Sequence, residues 1–341
     1  MTLTPTAFAT FTDVYAAVLR GIRHHHVYDT AGRGDDALEV TDVSFRLTDP
    51  TDRTPYLATR RANIAFNHAE ALWYLTGRDD ADMISYYAPS LAKLSIDGVT
   101  LTGTAYGPRL FASGVDGRSQ FDRVIELLRA DPDTKRAAMV IMRPDELIDP
   151  GNPDVACTLG LQFLLREGRL HMSAYMRGND AYIGLLGDTF AFTFIQEYAA
   201  RRLGIPVGYY SHHVGSMHLN VLDLDKVDII LQEAATATPP VFEPRFMPVT
   251  TDDDLALIME YENALRVGDV GLSPAAAAAL PLPAYWRQVL LLFEAYRQIR
   301  HTTHPVTTDV ADVLDPGHRW LLAARWPTRI TKLPVCAGQP S

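Results

Sequence analysis

Two extended stretches joined by a dipeptide constrain the fold of this chain more than any other feature. They cover residues 159–166 and 169–176, and Glu167-Gly168 lies between them. Strand-like runs joined by two residues, one of them a glycine, are typical of a β-hairpin. The sequence therefore predicts a hairpin, with Cys157 just before its first strand.

Helical patterns lie on both sides of this hairpin. Apolar residues recur at helical spacing over residues 61–77, and residues 188–202 form a mostly apolar stretch. Asp188 is a candidate N-cap of the second helix, and Gly204-Ile205-Pro206 is its predicted stop. Residues 284–300 are amphipathic, and we expect their apolar face to be core. That face consists of Trp286, Val289, Leu290, Phe293 and Tyr296.

Composition is that of a globular protein with a large core. Of 341 residues, 47% are apolar and 21% charged, which argues against disorder. A net charge of −10 argues against a sequence-independent nucleic-acid groove, which needs a basic face. Neither a secretory signal nor a bilayer-length apolar stretch is expected, and two distant cysteines, Cys157 and Cys336, do not form a disulfide framework. These features favour a cytoplasmic setting without nucleic-acid or membrane partners.

Cys157 has two interpretations. A lone cysteine in an apolar stretch is more often an inert core residue. A nucleophilic thiolate needs positive charge nearby, which Arg177 and the pair Lys135-Arg136 can supply. The order of these groups along the chain favours the nucleophile.

A series of motifs around Cys157 resembles the thymidylate synthase superfamily, and specifically its cytidylate hydroxymethylase branch. The resemblance covers residues 30–225 or so, whereas residues 234–341 align poorly. The matching elements, in chain order, are Gly32-Arg33-Gly34, Glu70-Ala71-Leu72-Trp73-Tyr74-Leu75, Thr104-Ala105-Tyr106-Gly107, Lys135-Arg136, Cys157 with Gln162-Phe163, Met176-Arg177-Gly178-Asn179-Asp180, residues 184–188, and Gly215-Ser216-Met217-His218-Leu219-Asn220.

The resemblance implies an α+β fold in which helices pack on a bent mixed β-sheet, with an extra, mostly helical C-terminal region. It implies one domain over residues 1–341, acting as a homodimer. The substrates would be a nucleoside 5′-monophosphate and 5,10-methylenetetrahydrofolate. Arg33 and Arg177 would bind the phosphate, and Lys135 and Arg136 would reach it across the dimer interface.

The resemblance also implies roles for individual side chains. Cys157 would add to C6 of the pyrimidine, Glu70 would organise water and proton transfer, and Tyr106 would handle the proton at C5. Asp188 would join these catalytic groups while contacting the base. Further substrate contacts are implied for Gln162, Gly178, His218 and Asn220, and folate contacts for Asp180 and Trp73.

Asp188 stands where the synthases have the asparagine that reads uracil. A carboxylate only accepts hydrogen bonds, which suits the amino group of cytosine and a protonated N3. This change is the mark of the cytidylate hydroxymethylases. The alternative is that Asp188 only caps its helix, and both roles can coexist.

The sugar-reading positions change as well. Asn220 replaces a tyrosine, Ser216 an aspartate and Gly178 a serine of the synthase motifs. Smaller groups leave room for a ribose 2′-hydroxyl, which favours CMP over dCMP. Lys135 in place of arginine adds weak support. Thr158 replaces the family histidine that follows the nucleophile, so the water-network role of that position is not carried over.

The fate of the one-carbon group depends on water. No tryptophan lies between Trp73 and Trp286, and the tail 336–341 is small and polar, so we expect water to reach an exocyclic methylene at C5. The expected products are 5-hydroxymethyl-CMP and tetrahydrofolate, for use in a hydroxymethylcytosine-containing metabolite.

Three other functions stay open. They are dCMP hydroxymethylation, methylation of dUMP or UMP, and binding of nucleotide without catalysis. A metal site is not expected, because the histidines at 24–26, 212–213 and 218 lack a recognised ligand spacing.

Overall fold

The computed structural model describes residues 3–32 and 35–331. Their strands form one mixed sheet in the order β1-β3-β7-β6-β5-β4, with β2 paired to β3. The pairs β1–β3 and β6–β7 are parallel and the others antiparallel. The strands are β1 (Thr6–Phe8), β2 (Tyr28–Gly32), β3 (Asp35–Leu47), β4 (Ala138–Val140), β5 (Thr158–Arg166), β6 (Arg169–Asp180) and β7 (Val207–Asn220).

Helices pack around this sheet, which confirms the predicted α+β class. They are α1 (Phe11–His25), α2 (Ile64–Leu75), α3 (Ala81–Tyr87), α4 (Gly107–Phe111), α5 (Gln120–Ala130), α6 (Gly184–Leu203), α7 (Leu224–Thr236), α8 (Asp252–Val267), α9 (Pro274–Ala279), α10 (Ala284–His301), α11 (Thr308–Val313) and α12 (Pro316–Arg325). Within residues 3–32 and 35–331, no helix has the length and apolar character needed to span a membrane.

The predicted hairpin is β5–β6. Glu167 and Gly168 both adopt left-handed backbone conformations, with φ of 52° and 69°. Two successive positive φ angles are what a two-residue turn needs to follow the twist of its strands. At the other end of the hairpin, the register shifts between Thr158 and Gly160. Cys157 therefore lies beside an irregular strand end.

Helix α6 begins earlier than predicted. It starts at Gly184 and ends at Gly204, whose φ of 71° forms a left-handed C-cap. The prediction that Asp188 caps this helix is wrong, because Asp188 lies more than one turn inside it. The preceding turn is held instead by Asp180, whose Oδ1 accepts a hydrogen bond from the Ile183 N–H at 2.5 Å.

Helix α2 is shorter than the predicted segment 61–77. Arg61 has a positive φ of 51° and so cannot continue a helix. Asn63 is the N-cap, and its side chain accepts from the Phe66 N–H at 3.3 Å. Almost every residue of α2 is buried, and the helix packs against α6. This packing places the Glu70 carboxyl in the protein interior.

The last third of the chain is helical, as predicted. The expected apolar face of α10 is buried throughout, with Trp286, Val289, Leu290, Phe293 and Tyr296 at most 3% exposed. Helices α10 and α12 contact α2, so the C-terminal helices complete the core around it. On the basis of these contacts, we propose that the chain forms one elaborated domain.

Candidate active site

Cys157 and Arg177 lie together at the start of the hairpin. Nη2 of Arg177 is 3.7 Å from Sγ of Cys157. The same guanidinium donates to the carbonyls of Ala156 at 2.9 Å and Val155 at 3.0 Å. Arg177 is exposed and Cys157 is half-buried. The arrangement places a half-buried thiol beside a cation that lies at the surface.

Tyr106 lies behind this pair, at the start of α4. The Thr158 hydroxyl donates to the Tyr106 oxygen at 3.2 Å, and the Tyr106 ring stacks on Tyr74. Burial, with the charges of Asp188 and Cys157 adding to it, holds the pKa of Tyr106 well above its usual value. The Tyr106 hydroxyl is therefore neutral. Thr158, the residue after Cys157, orients this tyrosine hydroxyl through its own side chain.

Glu70 projects from α2 toward α6. The Tyr74 hydroxyl lies 3.5 Å from its Oε1, and a Cβ built on Gly187 would come within 3.2 Å of its Oε2. Burial raises the pKa of Glu70 to about 8, and the Asp188 carboxylate contributes to the rise. Glu70 is thus mostly protonated at neutral pH and can give or accept a proton there.

Asp188 faces the same interior region from α6. Its carboxyl is half-buried and receives no hydrogen bond from the residues that the structure describes. Burial raises its pKa to about 7. Near neutral pH the side chain therefore exists as both acid and carboxylate. A carboxyl whose acceptor sites are not used by the described residues is suited to a polar ligand.

Asp180, His218 and Asn220 meet at the ends of β6 and β7. Asp180 is paired with His218 in the parallel ladder, and the Asn220 amide donates to Oδ2 of Asp180 at 2.8 Å. Burial raises the pKa of Asp180, while His218 opposes that rise. Asn220 and Asp180 are therefore joined by a hydrogen bond, and His218 lies opposite Asp180 on the neighbouring strand.

Gly178 lies on the ladder opposite Ser216. Among the described residues, and apart from its chain neighbours, a Cβ built on Gly178 would come within 4 Å of only the Ser216 carbonyl oxygen, at 3.7 Å. The position is buried but has room beside it. The expectation that this position leaves room for a sugar hydroxyl stays a prediction.

The sequence did not point to Glu39. It lies on β3 directly opposite His218, and its carboxylate accepts a hydrogen bond from the Ser216 hydroxyl. No local pattern singles out one glutamate in a strand. One signal was available at position 216, where the family has an aspartate and this chain has Ser216. The loss of that aspartate suggests that another residue supplies the carboxylate.

Asn179, to which the sequence gave no role, belongs to a buried polar chain. Its Nδ2 lies 3.1 Å from Nε2 of His212, and Nδ1 of His212 lies 2.5 Å from the Tyr210 hydroxyl. Burial and His213 lower the pKa of His212 to about 3, so the ring is neutral. A Cβ on Gly184 would clash with Asn179 Oδ1 at 2.5 Å and approach Asp188 Oδ2 at 3.5 Å. This buried polar chain of side chains therefore supports the first turn of α6.

The other cations predicted to bind phosphate either lie away from this region or fall outside the described residues. Lys135 and Arg136 are exposed just before β4, and Gln162 donates to the Lys135 carbonyl at 2.9 Å. Gln162 thus anchors the loop that carries both cations. Arg33 and the tail 336–341 lie outside the described residues.

The predicted folate contact of Trp73 is not supported. The side chain is fully buried in the core, and its ring presents no surface to a ligand.

In the described part of the chain, no group of three or more His, Cys, Asp or Glu side chains could hold a metal ion.

Fold and site together define a class of α+β proteins with a cysteine and arginine pair at a strand end and buried carboxyls behind it. A solved structure titled thermostable thymidylate synthase A from Bacillus subtilis has this fold. It aligns with a TM-score of 0.58 and 21% identity, over 72% of this chain and 94% of that one.

The family model described as thymidylate synthase matches residues 13–256, and the chain belongs to the thymidylate synthase family. A protein of Bacillus phage SP01 named deoxyuridylate hydroxymethyltransferase is 36% identical over 203 residues, covering 57% of this chain and 53% of that protein. A protein of the same name from Pseudomonas phage M6 is 28% identical, covering 80% of this chain and 77% of that protein. The chain thus spans about half the length of the SP01 relative.

Proposed function

We propose that this protein is a folate-dependent one-carbon transferase that hydroxymethylates C5 of CMP. The observation that carries the proposal is the Asp188 carboxyl, half-buried, without a hydrogen-bond donor among the described residues, and with a pKa raised to about 7. The names of the phage relatives support hydroxymethyl transfer. The choice of base and sugar rests on this chain's own residues.

Asp188 suits cytosine better than uracil. The edge of cytosine offers an amino donor at C4 and an acceptor at N3, whereas uracil offers an acceptor at O4 and a donor at N3. A carboxylate accepts from the amino group and, through a proton shared with N3, pairs with both positions of cytosine. The same carboxylate has no donor for O4 of uracil. With a pKa of about 7, Asp188 can share this proton with the base.

Cys157 is the proposed nucleophile. Its thiolate adds to C6 of cytosine, which makes C5 nucleophilic toward the one-carbon donor. The Arg177 guanidinium, 3.7 Å from Sγ, favours the thiolate and leaves donor atoms for the substrate phosphate. One side chain thus links phosphate binding to activation of the thiol.

Glu70 and Tyr106 are the proposed proton carriers. Glu70, with a pKa of about 8, can hold a proton near the base at neutral pH. Tyr106 stays neutral and is oriented by the Thr158 hydroxyl, so it relays the C5 proton through its O–H rather than as a phenolate. Water that adds to the exocyclic methylene at C5 then supplies the hydroxyl of the product, and elimination of the Cys157 thiolate from C6 restores the double bond between C5 and C6.

Methylenetetrahydrofolate would supply the one-carbon unit. Asp180 fits a role in holding it, because its carboxylate is half-buried beside the exposed side chain of Ile183 at the start of α6. Trp73 does not fit such a role, because it is fully buried.

Ribose preference rests on Gly178. The room beside it accommodates a 2′-hydroxyl that a serine side chain would crowd. His218 is the proposed partner of the 3′-hydroxyl. Asn220 affects the sugar site indirectly, because its amide already donates to Asp180.

A homodimer with shared sites is part of the proposal. Lys135 and Arg136 are exposed, and neither is ion-paired to a described residue. Both properties suit cations that bind the phosphate held by a partner subunit. Arg136→Ala and Cys157→Ala chains should each be inactive alone and regain activity in confirmed heterodimers. Silent heterodimers would refute shared sites.

The experiment that tests the proposed reaction is turnover of CMP with methylenetetrahydrofolate in ¹⁸O-labelled water. The product should be CMP enlarged by one CH₂O unit, with labelled oxygen and no dihydrofolate absorbance. A methylated nucleotide formed together with dihydrofolate would reject hydroxymethylation. Equal CMP binding by wild type and Cys157→Ala, with no product from either, would leave a nucleotide-binding protein without catalysis.

A further inference from the structure

We infer that Glu39 reads the ribose, by accepting a hydrogen bond from the substrate's 2′-hydroxyl. The inference deepens the proposed function and rests on it for the location of the sugar. It assigns a specificity role to a β3 residue that lies outside the motifs around Cys157.

The register of the sheet places Glu39 beside the proposed sugar contact. Glu39 is the direct ladder partner of His218, the proposed 3′-hydroxyl contact. Side chains of directly opposed residues project from the same face of a sheet. Glu39 and His218 are both half-buried, so this face is open to a ligand. The carboxylate thus lies one strand away from the group that binds the neighbouring hydroxyl.

Glu39 also contacts Ser216 on the neighbouring strand. The Ser216 hydroxyl donates to Oε1 of Glu39, which fixes the carboxylate over β7. Among the described residues, nothing donates to Oε2, and no cation is paired with the carboxylate. An ionised carboxylate accepts several hydrogen bonds, so Oε2 keeps its capacity for a ligand hydroxyl.

The space beside Gly178 lies next to this contact. Ser216 pairs with Gly178 on β6, whereas Glu39 on β3 pairs with His218 and reaches Ser216 diagonally through its side chain, so the three residues lie on three adjacent strands. The place where a Cβ is missing therefore lies next to the serine that holds the carboxylate. Room for a 2′-hydroxyl and an acceptor for it occur side by side. Carboxylates fill this role at the ribose of dinucleotides, for the same reason of acceptor strength.

The alternative is that Glu39 only satisfies the Ser216 hydroxyl. The two roles predict different sugar dependence. A structural carboxylate affects ribonucleotides and deoxyribonucleotides equally, whereas a ribose contact affects only the former.

The test is equilibrium binding of CMP, dCMP, UMP and dUMP to wild type, Glu39→Gln and Glu39→Ala, in the full chain. For whichever base binds, the ratio of ribonucleotide to deoxyribonucleotide affinity should fall about tenfold in Glu39→Gln, as for loss of a hydrogen bond to a charged group. Deoxyribonucleotide affinity should change less than about twofold. Asp36→Asn, an exposed carboxylate change on the same strand, should leave the ratio unchanged.

The outcomes separate this inference from the proposed function. Equal losses for both sugars, or a wild type that does not favour ribose, would overturn the role of Glu39 while leaving hydroxymethylation intact. Uridylate binding in place of cytidylate would reject the base assignment, yet the sugar ratio would still decide the role of Glu39. If Glu39→Gln unfolds, which circular dichroism reports, the ratio for Glu39→Ala decides it, and unfolding of both would show a structural role and overturn the inference.

Discussion

The guanidinium of Arg177 lies 3.7 Å from the Cys157 sulfur and is held there by two backbone carbonyls. A lysine at this position carries the same charge, but it cannot make this set of planar hydrogen bonds. The geometry of the guanidinium therefore matters as well as its charge.

We expect Arg177→Lys to slow alkylation of Cys157 by iodoacetamide at neutral pH about tenfold, because less of the thiol is ionised. The measurement uses a Cys336→Ser background, so that a single thiol remains. Arg166→Lys is the matched control, since Arg166 also donates to backbone carbonyls but lies at the far end of β5. An unchanged alkylation rate in Arg177→Lys would show that the guanidinium does not activate the thiol.

Asp188→Asn should transfer preference from cytidylate to uridylate. The amide donates to O4 and accepts from N3–H, so CMP affinity should fall at least about tenfold and UMP affinity should rise. The wild type should also lose CMP affinity as the pH rises above about 7, when Asp188 loses its shared proton, and the variant should not. Titration calorimetry over a pH series measures both effects. The same base preference in both proteins would reject Asp188 as the base-reading residue.

Gly178→Ser should turn sugar preference toward dCMP. The new Cβ has room, because it meets only the Ser216 carbonyl oxygen at 3.7 Å, while the hydroxymethyl group occupies the space proposed for the 2′-hydroxyl. The ratio of kcat/KM for CMP to that for dCMP should fall about tenfold or more. Gly21→Ser, which introduces a side chain into open space on α1, is the control. A ratio unchanged in Gly178→Ser would place the sugar elsewhere.

Glu70→Gln should reduce the pH dependence of stability. The pKa of Glu70 is raised in the folded protein, from 4.5 to about 8, so its contribution to stability is fully present below pH 4.5 and is lost as the pH rises toward 8. One such group changes the free energy of unfolding by at most about 1.4 kcal/mol per pH unit. Urea unfolding between about pH 5 and about pH 8 measures the slope in both proteins. Parallel slopes would mean that Glu70 ionises normally.

The sequence predicted those parts of the fold that local patterns determine. The hairpin follows from a glycine-containing dipeptide between two strand-like runs, and the buried face of α10 follows from helical spacing. The Asp188 cap was wrong because capping patterns take no account of the buried apolar residues that begin α6 one turn earlier.

Motifs in the sequence pointed to the candidate site residues, whereas the contacts between distant residues could not be predicted. Glu39 and Ser216 are 177 residues apart, and Asn220 and Asp180 are 40 apart, so strand register alone brings each pair together. Trp73 shows the reverse error, because its motif suggested a ligand contact and its packing buries it completely. Motifs identify side chains, but only the fold shows which of them share a surface.

Turnover of CMP, dCMP, UMP and dUMP with methylenetetrahydrofolate decides whether this protein hydroxymethylates a cytidine nucleotide. Product masses identify the nucleotide formed, and absorbance follows dihydrofolate. We expect hydroxymethylated CMP, formed faster than the dCMP product and without dihydrofolate. Turnover confined to uridine nucleotides, or methylated dUMP formed together with dihydrofolate, would contradict this expectation.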